Sequence, residues 1–106
     1  MRPEIMQREN LEKMLEQGND NALLRYTLGS LCLKEKDADM AVRHLAEALK
    51  QDPNHSASWK LYGKALAALN REEEARKAYR QGIAVAEARG DVQAAKEMGV
   101  FLKRLE

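Results

Sequence analysis

Apolar residues recur along this chain at intervals of three and four residues, the spacing of an amphipathic helix. Breakers separate the apolar segments at Gly18, at Asp52-Pro53-Asn54, at Asn70 and at Gly90. The pattern predicts six helices, over residues 3–17, 21–35, 38–51, 56–69, 72–90 and 92–105. Helices joined by such short turns pack antiparallel. The sequence therefore predicts an all-α fold built from helix hairpins.

The predicted helix ends carry residues suited to those positions. Short polar side chains precede three apolar segments, where they can accept a hydrogen bond from a free backbone amide: the cluster Asn19-Asp20-Asn21, Asp37 and Asp91. Asn70 follows the fourth segment and tolerates the left-handed conformation with which many helices end. These local signals agree with the helix boundaries drawn from the apolar spacing.

Residues 22–55 and 56–89 form two similar segments with an offset of 34 residues. Gly29 and Gly63 match, as do Ala41 and Ala75, and several other positions match by size and polarity. Glycine inside a helix costs about 1 kcal/mol relative to alanine. Glycine is expected at these positions if a side chain there would clash with the partner helix. Ala41 and Ala75 are predicted to be the small residues that lie opposite the glycines.

The second segment contains Trp59-x2-Tyr62-Gly63-x2-Leu66 followed by Ala75-x3-Tyr79. The first segment supplies the related Leu28-Gly29-x2-Cys32, Ala41-x3-Leu45 and Pro53. In period and motif the chain resembles the tetratricopeptide repeat (TPR) family. The resemblance implies a right-handed superhelical stack of helix hairpins that binds other proteins.

The resemblance divides the chain into a single domain with four parts. These are an N-terminal flanking helix at 3–17, repeat 1 at 22–55, repeat 2 at 56–89, and a C-terminal capping helix at 91–105. The flanking helix fits the second-helix slot of a preceding repeat through Leu11 and Met14. The capping helix fits a further first-helix slot through Met98-Gly99-x2-Leu102.

Composition narrows the possible functions. Hydrophobic residues make up 44% of the chain and charged residues 33%, which fits a soluble helical protein rather than a disordered one. The net charge of +1 provides no overall attraction to nucleic acid or to an anionic membrane. A single cysteine excludes an internal disulfide, and no apolar run is long enough to span a membrane. We therefore expect a cytoplasmic protein.

Candidate catalytic and metal-binding groups are few. His44 and His55 have no partner at a ligand spacing, so surface or capping roles are favoured for both. Cys32 occupies an apolar position of the repeat, which predicts a buried thiol rather than a nucleophile. Trp59 is predicted to pack in the core. The sequence thus indicates no enzyme, no cofactor and no metal site.

The family resemblance also implies a ligand site. In the family, residues at fixed first-helix positions line a concave groove, and the matching positions here include six Lys or Arg and no acid. This predicts a basic groove for an acidic protein or peptide, although lysines that merely solvate a helix face would give the same pattern. The favoured contact residues are Tyr26, Ser30, Lys60, Lys64, Lys96 and Lys103.

Family members that grip the C-terminal carboxylate of chaperones do so with Lys, Asn and Arg at defined positions. The matching residues here are Tyr26, Ser30, Leu61, Gln93 and Glu97, so that clamp is absent.

Two other functions remain as alternatives. Self-association through Ile5, Val100 and Phe101 would make the chain an oligomerisation unit, with a monomer or weak homodimer expected. Nucleic-acid binding is disfavoured, because no aromatic residues alternate with the lysines.

Overall fold

The computed structural model describes residues 3–106, with side chains from Gln7 onward. This part of the chain contains helices and no strand. Its helices are α1 (Pro3–Glu16), α2 (Ala22–Lys34), α3 (Ala38–Gln51), α4 (Ser56–Ala68), α5 (Glu72–Ala88) and α6 (Val92–Leu105). Each agrees with its predicted range to within two residues, and the all-α prediction is confirmed. None of these helices has the length and apolar content needed to cross a membrane.

The predicted helix caps are present. Asn21 Oδ1 accepts a hydrogen bond from the Leu24 amide at 2.9 Å, and Asp91 Oδ1 accepts one from Ala94 at 3.2 Å. Asp37 caps α3 in the same way. Asn70 has the expected left-handed conformation, with φ of 60°. Lys36 precedes Asn70 by one repeat length and has nearly the same φ, 61°. This conformation is unfavourable for a lysine, and the sequence did not predict it.

The helices form a stack of hairpins in two layers. Helices α2, α4 and α6, here called the first helices, lie side by side, with α2 against α4 and α4 against α6. Helix α3 packs on α2 and α4, and α5 packs on α4 and α6. Helix α1 packs on α2 at one end of the stack. The first helices thus share a surface that α3 and α5 leave uncovered.

The glycines inside α2 and α4 allow close packing within each hairpin. A Cβ atom on Gly29 would lie 2.5 Å from Leu45 Cγ, and one on Gly63 would lie 2.7 Å from Tyr79 Cδ1. The role predicted for both glycines is therefore confirmed, but the opposing residue was assigned wrongly. Leu45 and Tyr79, one helical turn after the buried Ala41 and Ala75, fill the space beside the glycines.

Trp59 has the packing role predicted for it. It packs against the core, and its Cβ would lie 2.7 Å from a Cβ placed on Gly82. Its indole Nε1 donates a hydrogen bond to the Pro53 carbonyl at 2.8 Å. Because Met98 of α6 also contacts Gly82, that glycine lets α4 and α6 both approach α5 closely.

The prediction of a surface position for His44 is wrong. The residue is only 5% exposed, and its Nδ1 lies 3.2 Å from Arg25 Nη1 on α2. The position 34 residues later is Ala78, which is also buried, so the repeat itself indicates that His44 points inward. The charged Arg43 directly before it and Glu47 three residues after it obscured that signal.

Ion pairs hold α1 to the rest of the stack. Arg8 contacts Glu35 at 3.1 Å and Asp37 at 2.9 Å, and both acids lie in the turn between α2 and α3. Arg8 also pairs with Glu12 on its own helix at 3.3 Å. The Arg8 side chain is only 16% exposed, so these contacts are shielded from water more than ordinary surface pairs are.

Candidate functional site

A hollow lies between α2 and α4 on the surface that the first helices share. The α2–α4 hollow, of about 400 Å³, is lined by Ser30, Leu33, Lys34, Leu61 and Lys64. The two leucines are half-buried, whereas both lysines are exposed. The hollow thus combines apolar surface with positive charge, a combination suited to an acidic segment that also carries apolar side chains.

The side of this hollow towards α6 carries further positive charge. Lys64 Nζ lies 5.1 Å from the centre of the Phe101 ring, and the Arg104 guanidinium carbon lies 5.7 Å from it. Phe101 is half-buried and packs against Tyr79, with ring centres 5.8 Å apart. Phe101 is therefore not the exposed self-association residue predicted from sequence, because the surface of α5 covers part of its ring. Val100 is exposed as predicted, and the side chain of Ile5 lies outside the described part of the chain.

Lys60 has a partner that the sequence did not reveal. Its Nζ donates a hydrogen bond to Glu97 Oε1 of α6 at 3.0 Å, and this contact lowers the pKa of Glu97. An acid thus lies beside the basic positions, although none occupies the groove positions taken from the family. The contact joins neighbouring first helices, and no spacing within a single helix could have predicted it.

Tyr26 lies near the N-terminal ends of the first helices and makes an edge-on contact with His55. The two ring centres are 4.9 Å apart. His55 precedes α4, and its Nδ1 lies 2.6 Å from Ser58 Oγ. Leu23, which is 71% exposed, lines a smaller hollow with His55. Tyr26 is therefore held in place by a turn residue and does not line the α2–α4 hollow.

Lys96 and Lys103 lie at the end of the stack. Lys96 lines the α5–α6 hollow, of about 410 Å³, which is formed by Ile83, Glu87, Gly90, Val92, Ala95, Lys96 and Gly99. Lys103 is exposed and lies two helical turns after Lys96, on the same side of α6. Of the six predicted contact residues, the structure brings Ser30 and Lys64 together in one hollow and places the other four outside it.

The buried thiol predicted at Cys32 is confirmed. The residue has no exposed surface, and burial raises its pKa to about 11, which keeps the thiol protonated and unreactive. Burial and the nearby Arg25 lower the pKa of His44. Within the described part of the chain, no three metal-ligating side chains come together.

Comparisons with known proteins identify similar sequences. A family model described as Tetratricopeptide repeat matches residues 32–98. A "TPR repeat-containing protein" of Pseudomonas aeruginosa is 52% identical over 98 residues, which cover 92% of this chain and 93% of that protein.

Solved structures show the same arrangement of helices. The solution structure of a Bordetella parapertussis protein superposes with a TM-score of 0.81 at 47% identity, over 92% of this chain and 85% of that one. A tetratricopeptide repeat domain protein of Salinibacter ruber, also solved in solution, has a TM-score of 0.75 at 28% identity. That match covers 82% of this chain and 88% of that one.

Proposed function

This chain belongs to the tetratricopeptide repeat family, and from that premise we propose that it binds an acidic peptide or helix of a partner protein in the α2–α4 hollow. Domains of this family generally mediate protein–protein interactions and are typically not enzymes. The observation that carries the proposal is the joining of Leu33 and Leu61 with Lys34 and Lys64 in one open hollow.

The apolar part of the hollow supplies most of the proposed affinity. Covering apolar surface contributes roughly 25 cal/mol per Å², whereas an exposed ion pair contributes only about 0–1 kcal/mol. Leu33 and Leu61 are half-buried, so an incoming apolar side chain has surface to cover there. The lysines then select an acidic segment and orient it, and binding weakens as salt screens their charge.

Of the residues predicted from sequence, Ser30 and Lys64 contact the bound segment directly in this proposal. Lys60 contributes less, because binding through it competes with its ion pair to Glu97. Tyr26 supports the N-terminal end of the surface, while Lys96 and Lys103 add to its positive field from the end of the stack. Arg104 joins the contact set, because it lies over the same Phe101 ring as Lys64.

The proposed setting is the cytoplasm, where a thiol stays reduced. A cysteine that forms no disulfide, such as Cys32, is common in proteins of this compartment.

Selection from a peptide display library tests the binding proposal. Peptides selected on the wild-type protein should be rich in Asp and Glu and should contain Leu or an aromatic residue. The double variant Lys34→Glu/Lys64→Glu reverses both charges of the hollow and should lose these peptides. Lys60 is left unchanged, because its reversal would place two acids side by side and lower stability.

A matched control separates the hollow from net charge. The variant Lys50→Glu/Arg80→Glu makes the same charge change at exposed positions of α3 and α5. It should retain the selected peptides with less than about a threefold loss of affinity, since distant exposed charges are screened. Equal loss in both variants would show a general charge effect, and undiminished binding by Lys34→Glu/Lys64→Glu would refute the site.

A further inference from the structure

Gly99 of α6 occupies the same repeat position as Gly29 and Gly63, but no described side chain fills the space in front of it. In α2 and α4, Leu45 and Tyr79 fill the space in front of the glycine. A Cβ atom on Gly99 would meet no atom within 4 Å among the described residues. The side of α6 that would receive a large side chain from a packed helix is therefore open.

The surface around Gly99 is mostly apolar, with cations on its α6 side and the acid Glu87 on its α5 side. It belongs to the α5–α6 hollow, where Val92 is 61% exposed, and the adjoining Val100 is 51% exposed. Lys96 and Lys103 lie three residues before and four residues after Gly99, so they share its face of the helix. A helix that covers this surface must therefore supply a large apolar residue for Gly99 and acids for the lysines.

Helix α1 has these properties. Subtracting the repeat length of 34 from Leu45 gives Leu11, and subtracting it from Ala48 gives Met14. Leu11 is half-buried, whereas Met14 is 42% exposed. Helix α1 thus has the residue pattern of a second helix, and at its end of the stack no first helix precedes it among the described residues.

The charges of the two ends are opposite. Helix α1 has four acids (Glu4, Glu9, Glu12, Glu16) against Arg8 and Lys13, whereas α6 has Lys96, Lys103 and Arg104 against Glu97 alone. Counted over the residues of each helix, the net charge is 2 − 4 = −2 for α1 and 3 − 1 = +2 for α6. An α6–α6 contact would place like charges together, so the charges favour α1 as the partner of α6.

We propose that α1 of a second copy of this chain packs on α6, with Leu11 over Gly99. Met14 of the incoming helix then lies over Ala95, a small residue in the repeat position where α4 has Trp59. Within this chain the large Trp59 of the first helix faces the small Gly82 of the second helix. In the proposed contact the first helix supplies the small residue, Ala95, and the second helix supplies the large one, Met14. The contact leaves the α2–α4 hollow unused and does not depend on peptide binding.

Such a contact joins unlike surfaces and continues the stack from one molecule to the next. Each added copy presents a new α6, so growth does not stop at a dimer unless a ring closes. We therefore expect the average mass to rise steadily with protein concentration from the 12.0 kDa of one chain.

Sedimentation velocity of the full chain, from micromolar to millimolar concentration, tests the proposal. Gly99→Leu should abolish association, because its side chain fills the space that Leu11 requires, while the open surroundings let the monomer fold normally. Ala84→Leu adds the same side chain at an exposed site on α5 and should associate as the wild type does. Equal association of wild type and Gly99→Leu would overturn the proposal, as would a wild type that stays monomeric at millimolar concentration.

Mixing two blocked variants identifies the geometry. Met14→Lys places a cation on the exposed part of α1, so that variant keeps only its α6 end, whereas Gly99→Leu keeps only its α1 end. Each should stay monomeric alone, and an equimolar mixture should form a complex of two chains and nothing larger. Dimers of Met14→Lys alone, or no complex in a mixture of two variants that both melt as folded proteins, would contradict the head-to-tail contact.

Discussion

The space beside Gly29 in the α2–α3 hairpin is filled by Leu45, whereas the ring of Tyr79 fills the space beside Gly63 in the α4–α5 hairpin. The glycine is the same in both, and the residue opposite it has changed from a flexible side chain to a rigid one. A planar ring has fewer ways to move aside than a leucine. The two hairpins should therefore tolerate the same extra atoms to different degrees.

The hairpins differ more strongly at a second contact between their two helices. In the first, Arg25 contacts the buried His44, whereas the equivalent pair in the second is Trp59 and Ala78. Because Ala78 is small, a hollow of about 420 Å³ remains there, lined by Trp59, Tyr62, Leu66, Glu74, Lys77, Ala78 and Gln81. The repeat fixes which positions point inward, and the residues at those positions decide whether a hairpin depends on polar or on apolar contacts.

Deleting residues 92–106 should have the largest effect, because the second hairpin depends on the apolar side chains of α6. Met98 is fully buried, and truncating a buried methionine alone costs about 2–5 kcal/mol. Removal also exposes Tyr79 and Gly82, so the shortened protein should lose helicity and aggregate. Circular dichroism with light scattering measures this.

Deletion of residues 1–17 is the matched comparison, because it removes one helix from the other end. That helix is held by the ion pairs of Arg8, so its loss should lower stability less. Equal stability of the two shortened proteins would show that α1 and α6 contribute equally to the stability of the stack.

Glycine-to-alanine variants should change the free energy of unfolding in opposite directions in different first helices. Gly63→Ala and Gly29→Ala should lower the free energy of unfolding by about 1–3 kcal/mol, with the larger loss at Gly63, where the rigid Tyr79 ring lies. Gly99→Ala should raise it by up to about 1 kcal/mol, because alanine favours the helix and meets open space. Urea titrations in dilute solution measure all three. Destabilisation by Gly99→Ala would show that α6 is already covered in the monomer.

The fold was predictable because its signals are local. Asn21, Asp37 and Asp91 cap helices through backbone amides three residues away, and the apolar spacing fixes the helices between them. His44 was missed because its charged neighbours Arg43 and Glu47 obscured the inward position that the equivalent, buried Ala78 indicates.

His44 should make the first hairpin sensitive to mild acid. Its pKa is lowered by burial and by Arg25, so it stays neutral in the folded protein at a pH where the unfolded chain takes up a proton. Stability from this group is therefore complete above the ordinary pKa of 6.5 and declines as the pH falls below it.

The variant His44→Ala copies the second hairpin and should lack this decline. The melting temperatures of the wild type and His44→Ala are measured over a pH series. The difference between them reports His44 alone, because the carboxylates titrate equally in both proteins. This is the smallest of the expected effects. Parallel pH curves for the two proteins would show that His44 does not titrate differently on folding.

The candidate site was less predictable than the fold. The family positions led to Ser30 and Lys64, which share a hollow, but the pairing of Lys60 with Glu97 joins two helices and depends on how they pack side by side. The exposure of Phe101 was predicted wrongly because its ring packs against Tyr79 of α5, a contact that spacing within α6 does not show. Residues on one helix face follow from spacing, whereas contacts between first helices follow only from the packed stack.

Chemical-shift mapping tests whether an acidic segment binds in the α2–α4 hollow. A selected acidic peptide is titrated into isotope-labelled protein, and the amide signals that move are assigned. If the peptide binds in the α2–α4 hollow, the largest changes should cluster at Ser30, Leu33, Lys34, Leu61 and Lys64, and they should shrink as salt is added. Changes clustered on the outer helices α3 and α5, or in the hollow around Trp59 and Tyr62, would contradict it.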